Sequence, residues 1–140
     1  MKILMTGTNG QVGHALVGAL ARHEVISLNR QQCNLINLDG IERIIDSHQP
    51  DLIINPAAYT KVDQAEDEPE LAFKINADAP KLMAKKAREY HIPFIHFSTD
   101  FVFDGKKKGA YSESDSTNPL GVYGSSKLAG EEAIQDVGGQ

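Results

Sequence analysis

Short apolar runs alternate along this chain with longer amphipathic stretches. The apolar runs predict strands at Lys2–Thr6, Glu24–Leu28, Leu52–Asn55 and Pro93–Ser98. The amphipathic stretches predict helices at Gln11–Ala21, Leu38–Ser47, from Pro69 to about Tyr90, and at Gly121–Asp136, the last closed by Gly138 and Gly139. We also expect Cys33–Leu35 to form a further short edge strand.

Strands that are apolar on both faces and separated by helices are typical of a parallel sheet covered by helices on both sides. The sequence therefore predicts an α/β fold, a doubly wound parallel sheet of Rossmann type, spanning residues 1–140 as one dinucleotide-binding domain. We expect Lys2–Thr6 to be central, with Glu24–Leu28 on one side and Leu52–Asn55, then Pro93–Ser98, on the other. The last strand would be an exposed apolar edge, which could drive homodimerisation.

The first strand runs into a Gly-x-x-Gly-x-x-Gly turn, Gly7 to Gly13. Such glycines let a turn lie close to a pyrophosphate, and the following helix offers its free N–H groups and positive dipole end. An ordinary strand–turn–helix corner is the alternative, because glycine clusters are common in turns. The expected pyrophosphate contacts are Gly7, Gly10, Gln11, Val12 and Gly13.

The end of the second strand indicates which nicotinamide cofactor is preferred. An acid at this position bonds the ribose hydroxyls of NAD and repels a 2′-phosphate. This chain has Asn29-Arg30 there instead, and the guanidinium of Arg30 could pair with a 2′-phosphate. We therefore expect NADPH to be preferred modestly over NADH, whose use remains possible. The alternative is an ordinary surface arginine.

The segment after the third strand, Asn55-Pro-Ala-Ala-Tyr59, should lie beside the glycine turn, where the strand order reverses. The small Ala57 and Ala58 would let the cofactor approach the backbone, and Tyr59 could lie along the ribose. Two alanines that simply pack under the turn are the compatible alternative.

Composition narrows the class of protein. The chain has 140 residues, 41% hydrophobic and 24% charged, with a mean hydropathy of -0.32, which is ordinary for a soluble domain. Its net charge of -5 argues against a nucleic-acid partner, and no apolar run is long enough for a membrane span. Because the first strand begins within two residues of Met1, we expect no leader, and because Cys33 is the single cysteine, we expect neither an intrachain disulfide nor a cysteine metal cage. We expect a cytoplasmic protein with no metal and no membrane partner.

Three other charged features suggest ordinary surface chemistry. The acids of Asp63–Glu70 are typical of a solvated helix start, with a metal site as the less favoured alternative. The run Lys106–Lys108 lies between two glycines and indicates an exposed loop. The five histidines lack ligand-like spacing, and none is assigned chemistry.

Tyr123 and Lys127 are four residues apart on the last predicted helix, so their side chains share one face. One such pair arises easily by chance, but this one follows a strand that ends in Ser98-Thr99-Asp100, where ligands of parallel sheets bind. A neighbouring ammonium favours a phenolate and makes proton transfer by a phenol more feasible. Phenol, ammonium and a hydroxyl from Thr99 or Ser98 together suit hydride transfer to or from a carbonyl.

Four motifs occur in order: Thr6-Gly-Thr-Asn-Gly-Gln-Val-Gly13, Asn55-Pro-Ala-Ala-Tyr-Thr-Lys-Val-Asp-Gln-Ala-Glu66, Ser98-Thr-Asp-Phe-Val-Phe-Asp-Gly105 and Tyr123-Gly-Ser-Ser-Lys-Leu-Ala-Gly-Glu131. With them the chain resembles the dTDP-4-dehydrorhamnose reductases, extended-type members of the short-chain dehydrogenase/reductase superfamily. The resemblance implies reduction of the 4-keto group of dTDP-4-dehydro-L-rhamnose by a nicotinamide cofactor. It also implies that Tyr123 donates the proton, Lys127 binds the nicotinamide ribose and Thr99 holds the carbonyl oxygen.

The chain departs from this family in two ways. Family members are roughly twice as long, so the resemblance predicts that the cofactor-binding part is present and that most of the dTDP-sugar pocket is not. Asn34 stands where many relatives carry an acid near the adenine; with Leu35 it completes the expected cofactor contacts. Two alternatives stay open: a sugar-nucleotide epimerase or dehydratase on the same scaffold, and a nonenzymatic regulatory subunit that keeps the nucleotide fold.

Overall fold

The computed structural model describes residues 1–138, so Gly139, one of the two glycines expected to close the last helix, lies outside the described residues. The strands are β1 (Lys2–Met5), β2 (Glu24–Ser27), β3 (Leu52–Asn55) and β4 (Phe94–His96). The helices are α1 (Gln11–Ala19), α2 (Leu38–His48), α3 (Val62–Ala65), α4 (Pro69–Phe73), α5 (Ala79–Glu89) and α6 (Val122–Asp136), with a π turn at Lys74–Asp78 and a 3₁₀ turn at Asp100–Val102.

The four strands form one parallel sheet in the order β2-β1-β3-β4, which confirms the predicted topology with β1 in the interior. Leu4 lies opposite Ile26 on one side and Ile53 on the other, and Ile54 lies opposite Ile95. The outer edge of β4 carries half-exposed apolar side chains, including Ile95, as expected for an apolar edge.

Helices cover both faces of this sheet. Alternate residues of each strand point to opposite sides, so each face contributes its own set of core side chains. On one face, Ile3, Met5 and Ile54 pack against α1. On the other, Leu4 and Ile53 pack against α2 and α5. Burial of both faces accounts for the uninterrupted apolar runs of the two inner strands, Ile3-Leu4-Met5 in β1 and Leu52-Ile53-Ile54 in β3.

Cys33–Leu35 is not a strand, so that prediction is wrong. The segment is a succession of turns: the Cys33 N–H donates to the carbonyl of Asn29 at 2.9 Å, and the Asn34 side chain accepts from the Ile36 N–H at 3.2 Å. Cys33 and Leu35 are nevertheless buried in the main core. Their apolar character reflects this burial, which a tight turn provides as well as a strand does.

The long helix predicted from Pro69 is present, but it contains a π turn. Pro80 has no N–H to donate to the carbonyl of Asn76, four residues earlier, and the Ala79 N–H instead reaches back five residues to the carbonyl of Lys74. The acids before it are mostly exposed, as expected, although the separate helix α3 was not predicted.

The remaining expectations concern loops and helix ends. The Lys106–Lys108 loop is exposed, and Gly138 follows α6 with φ +87°, as a closing glycine should. Within the described part of the chain, no helix combines the length and apolar character needed to cross a bilayer.

Candidate functional site

The glycine turn lies directly against the end of β3. Gly7 has φ +61°, a conformation that favours glycine, and a side chain there would place its Cβ 2.8 Å from the Cα of Ala57. A Cβ on Gly13 would lie 2.3 Å from the carbonyl oxygen of Gly7. Both glycines are therefore required by close backbone approach within the protein. The pyrophosphate contact expected from the sequence pattern stays a prediction.

Helix α1 begins immediately after this turn. Its N-cap, Gly10, has no side chain to accept from the first N–H groups, so within residues 1–138 no N-cap side chain competes with a ligand for those donors. Gln11, Val12 and Gly13 form the first turn of the helix. A helix start with free donors and a nearby positive dipole end suits an anion such as a pyrophosphate.

A cavity of about 740 Å³ opens in front of the glycine turn. Its walls come from the glycine turn, the loop after β2, the loop after β3, and helices α3 and α4 with the π turn. Eleven of the expected cofactor contacts line it: Gly7, Gly10, Gln11, Val12, Gly13, Arg30, Asn34, Leu35, Ala57, Ala58 and Tyr59. Its size is within the range of small-molecule and cofactor sites.

A second, polar cavity of about 530 Å³ adjoins the first and contains the remaining contact expected on this side, Asn29. The Asn29 side chain accepts from the N–H groups of Gln31 and Gln32, so it shapes the loop rather than pointing outward. Arg30 is exposed beside it, and no carboxylate within residues 1–138 forms an ion pair with this guanidinium. A cation here, flanked by amides, can receive a phosphate.

Tyr59 lines the main cavity but is mostly buried, with 9% of its surface exposed. Its hydroxyl donates to Glu68 at 2.5 Å, and this hydrogen bond, with some desolvation, raises the pKa of Tyr59 to about 12. The phenol is therefore held as a neutral donor. The ring, rather than the hydroxyl, is the part available to a ligand in the cavity.

A buried amide joins this loop to α6. Asn76, in the π turn, accepts from the Tyr59 N–H at 2.8 Å and donates to the Tyr59 carbonyl at 3.1 Å and to Ser126 Oγ at 3.0 Å. Ser126 in turn donates to the carbonyl of Tyr123. This connection was not predicted from the sequence; the signal available was a helical pattern interrupted by Pro80, with a polar residue four positions before it.

Tyr123 and Lys127 lie on α6 at the carboxyl end of β4. Lys127 is only 2% exposed, and its ammonium donates to the carbonyl of Phe97. Burial lowers the pKa of Lys127 to about 8, and the charge of Glu131 partly opposes this shift. Tyr123 is half-buried, with its ring edge-on to Phe101 at a centroid distance of 5.4 Å.

Thr99 starts the 3₁₀ turn that leaves β4. Its hydroxyl accepts from the Phe101 N–H at 3.2 Å, which brings Phe101 against Tyr123. Gly124 permits this contact, because a Cβ there would lie 2.2 Å from the Phe101 carbonyl oxygen. The three residues expected to carry the chemistry therefore occupy one end of the sheet. Among the described residues, they do not line the two cavities at the glycine turn.

Two further residues support α6 and were given no role from the sequence. Glu66 accepts from the Val122 N–H at 2.7 Å, which satisfies a free donor at the start of the helix. His96 places its Nε2 atom 3.4 Å from the Lys127 ammonium nitrogen. The sequence did offer one signal for a role of His96, because it ends β4 shortly before Ser98 and Thr99, the residues expected to bind a ligand.

A parallel sheet with this order, a glycine turn before a helix N-terminus, and a Tyr–Lys pair on the helix after β4 together define a Rossmann-type domain of the extended short-chain dehydrogenase/reductase class. More specifically, the chain belongs to the family described as the RmlD substrate binding domain, whose model matches residues 1–140.

Individual relatives agree with this placement. The dTDP-4-dehydrorhamnose reductase of Burkholderia thailandensis is 43% identical over 140 residues, which are 99% of this chain and 47% of that protein. The crystal structure of the Clostridium acetobutylicum reductase matches with a TM-score of 0.94 and 38% identity, over 98% of this chain and 50% of that one. The Bacillus anthracis reductase in complex with NADP matches with a TM-score of 0.92 and 32% identity, over 97% and 49%. The chain thus spans about half the length of the relatives it matches.

Proposed function

We propose that this chain is the cofactor-binding part of an NADPH-dependent reductase that converts dTDP-4-dehydro-L-rhamnose to dTDP-L-rhamnose. The observation that carries the proposal is the cavity at the glycine turn, lined by eleven residues expected to contact a dinucleotide. Similarity to reductases, one of them in complex with NADP, supports the choice of cofactor and substrate.

The residues present suit a dinucleotide. Gly7 packs on Ala57 and Gly13 packs on the Gly7 carbonyl with no room for a side chain, which keeps the turn tight. The N–H groups at the start of α1 would bind the pyrophosphate. Arg30 would pair with the 2′-phosphate, and Asn34 and Leu35 would lie at the adenine side. The buried ammonium of Lys127 would hold the nicotinamide ribose.

The bound cofactor would supply a hydride to the carbonyl carbon of the sugar. Tyr123 would donate its hydroxyl proton to the carbonyl oxygen, and Thr99 would orient that oxygen with a hydrogen bond. Lys127 would stabilise the resulting phenolate, because a cation in a site of low dielectric acts strongly on a nearby charge.

Cofactor binding is testable on the 140-residue chain. Calorimetric titration should show NADPH bound more tightly than NADH, and Arg30→Ala should weaken NADPH binding about tenfold, the loss expected for one charge-assisted contact. Arg22→Ala, at another exposed arginine outside both cavities, is the matched control and should bind normally. NADH binding at least as tight as NADPH, or unchanged binding by Arg30→Ala, would contradict the assigned 2′-phosphate contact.

Turnover must be measured on a chain extended to the length of its relatives. With dTDP-4-dehydro-L-rhamnose and NADPH, Tyr123→Phe should lower the rate of NADPH oxidation about 10²–10⁴-fold while NADPH affinity stays nearly unchanged. The 140-residue chain should bind NADPH yet reduce the sugar poorly, since a reactant that is not held in place loses the advantage of orientation. Full activity of the Tyr123→Phe variant would remove that residue from the mechanism.

A further inference from the structure

His96 contacts Lys127 with one ring nitrogen and Asn55 with the other. Its Nε2 atom lies 3.4 Å from Lys127 Nζ. Its Nδ1 atom lies 3.1 Å from the Asn55 side-chain nitrogen, a donor, and 3.2 Å from the Asn55 backbone oxygen, an acceptor. A hydrogen bond to Asn55 is therefore available whether or not Nδ1 carries a proton.

We propose that His96 is a positioning residue that partners Lys127 in both of its charge states by changing tautomer. When Lys127 is an ammonium, Nε2 accepts from it and the Nδ1–H donates to the Asn55 carbonyl. When Lys127 is a neutral amine, the Nε2–H donates to the amine lone pair and Nδ1 accepts from the Asn55 side chain. His96 carries one ring proton in both states, so the net change is the loss of one proton from Lys127.

The surroundings keep the ring neutral while Lys127 titrates. Burial, followed by the charge of Lys127, lowers the pKa of His96 to about 4, far below the Lys127 pKa of about 8. The imidazole ring also stacks on Phe94 at a centroid distance of 6.1 Å. A change of tautomer is thus the response left to the ring when the charge of Lys127 changes.

Several other groups bear on the pair. Glu131, on the same helix as Lys127, raises the lysine pKa and accepts from the hydroxyl of Ser98, and Tyr123 is one helical turn before Lys127. On β3, Asn55 also accepts from the Thr6 hydroxyl at 2.5 Å, which holds its side chain in place. The catalytic importance of the pair rests on the proposed function, whereas the pairing itself does not.

Nitrogen NMR of the cofactor-free chain tests the proposal directly. Long-range ¹H–¹⁵N correlation spectra show which ring nitrogen carries the proton. In the wild-type chain, we expect the proton of His96 on Nδ1 at about pH 6 and on Nε2 at about pH 10, with a midpoint that follows the Lys127 titration. Glu131→Gln should lower that midpoint, and Tyr123→Phe should retain the exchange. A single tautomer throughout, or an exchange that persists in Lys127→Met, would overturn the proposal.

A pair of substitutions tests the positioning role. Glutamine at position 96 can extend its amide towards the place of Nε2, whereas asparagine extends only as far as Nδ1. His96→Gln should bind NADPH within about twofold of wild type, and His96→Asn about tenfold more weakly, because the buried ammonium loses a partner. Equal binding by both variants would show that His96 does not position Lys127. If the wild-type chain fails to bind NADPH, the proposed function fails, but the tautomer spectra still decide the pairing.

Discussion

Replacing Gly13 by alanine tests whether backbone contact holds the glycine turn in place. The new Cβ would lie 2.3 Å from the carbonyl oxygen of Gly7 and 2.9 Å from the Cα of Thr8, closer than real Cβ contacts. Both partners are backbone atoms, and Gly7 is itself pressed against Ala57, so the start of α1 has to move away. Relieving such overpacking typically costs about 1–3 kcal/mol of unfolding free energy.

The same helix provides the control. Apart from the neighbouring residues and backbone of α1 itself, no atom of residues 1–138 lies within 4 Å of a new Cβ on Gly18, so alanine there adds no clash. Because alanine restricts the unfolded chain more than glycine, Gly18→Ala should raise the unfolding free energy by about 0.5–1 kcal/mol. The two variants make the same chemical change in one helix, and only at Gly13 does the new Cβ meet backbone atoms outside the helix.

Urea denaturation followed by circular dichroism gives the stability of each variant, and calorimetry gives its affinity for NADPH. Gly13→Ala should be destabilised, and its NADPH affinity should fall at least about tenfold, since about 1.4 kcal/mol of misplacement at the pyrophosphate converts to that factor. Gly18→Ala should bind as wild type does. If Gly13→Ala behaves like Gly18→Ala in both measurements, the close approach at the glycine turn is not what the site requires.

Three further perturbations follow from contacts described above. Ala57→Leu should abolish NADPH binding by calorimetry while leaving the circular dichroism spectrum unchanged; unimpaired binding would contradict the placement of this residue beside the turn. Glu66→Ala should lower the unfolding free energy by about 1 kcal/mol through loss of the cap on α6, and Glu66→Gln should recover part of it in the same urea titration. The hydrogen bond from Lys86 lowers the pKa of Asp46, so this contribution to stability is present above the unfolded-state pKa and lost as pH falls through the folded-state pKa. Thermal melting from neutral to acidic pH should therefore show a shallower acid loss for Asp46→Asn, and parallel curves would refute this.

The sheet could be predicted because each strand is a run of apolar residues buried on both faces. Strand order followed from the glycine turn, which places β1 in the interior, and from the short connections between elements. Cys33–Leu35 shows the limit of that reasoning: its two apolar side chains enter the core from a turn held by Asn29 and Asn34, and burial alone does not distinguish a turn from a strand.

The walls of the cavity at the glycine turn could likewise be predicted, since the close approaches of Gly7, Gly13 and Ala57 require small residues in a recognisable order. The contacts made by Glu66, Asn76 and His96 could not. Each joins residues between 17 and 56 positions apart in the chain, and each depends on how α6 or the loop after β3 packs. Local sequence patterns can mark a position such as Asn76 or His96 as unusual, but they do not identify its partner.

At the π turn, Lys74–Asp78, the chain departs from regular α-helical geometry and makes contacts with the rest of the domain. Pro80 offers the Asn76 carbonyl no N–H four residues on, and Gly130 of α6 packs so closely on that oxygen that a Cβ would lie 2.2 Å away. Pro80→Ala would relieve the local frustration by allowing a regular helix. It would also turn the Asn76 amide away from Tyr59 and Ser126. A substitution that stabilises the isolated helix would thus weaken the hydrogen bonds that join the loop after β3 to α6. Attempts to stabilise the protein by improving helix propensity should therefore leave this segment unchanged.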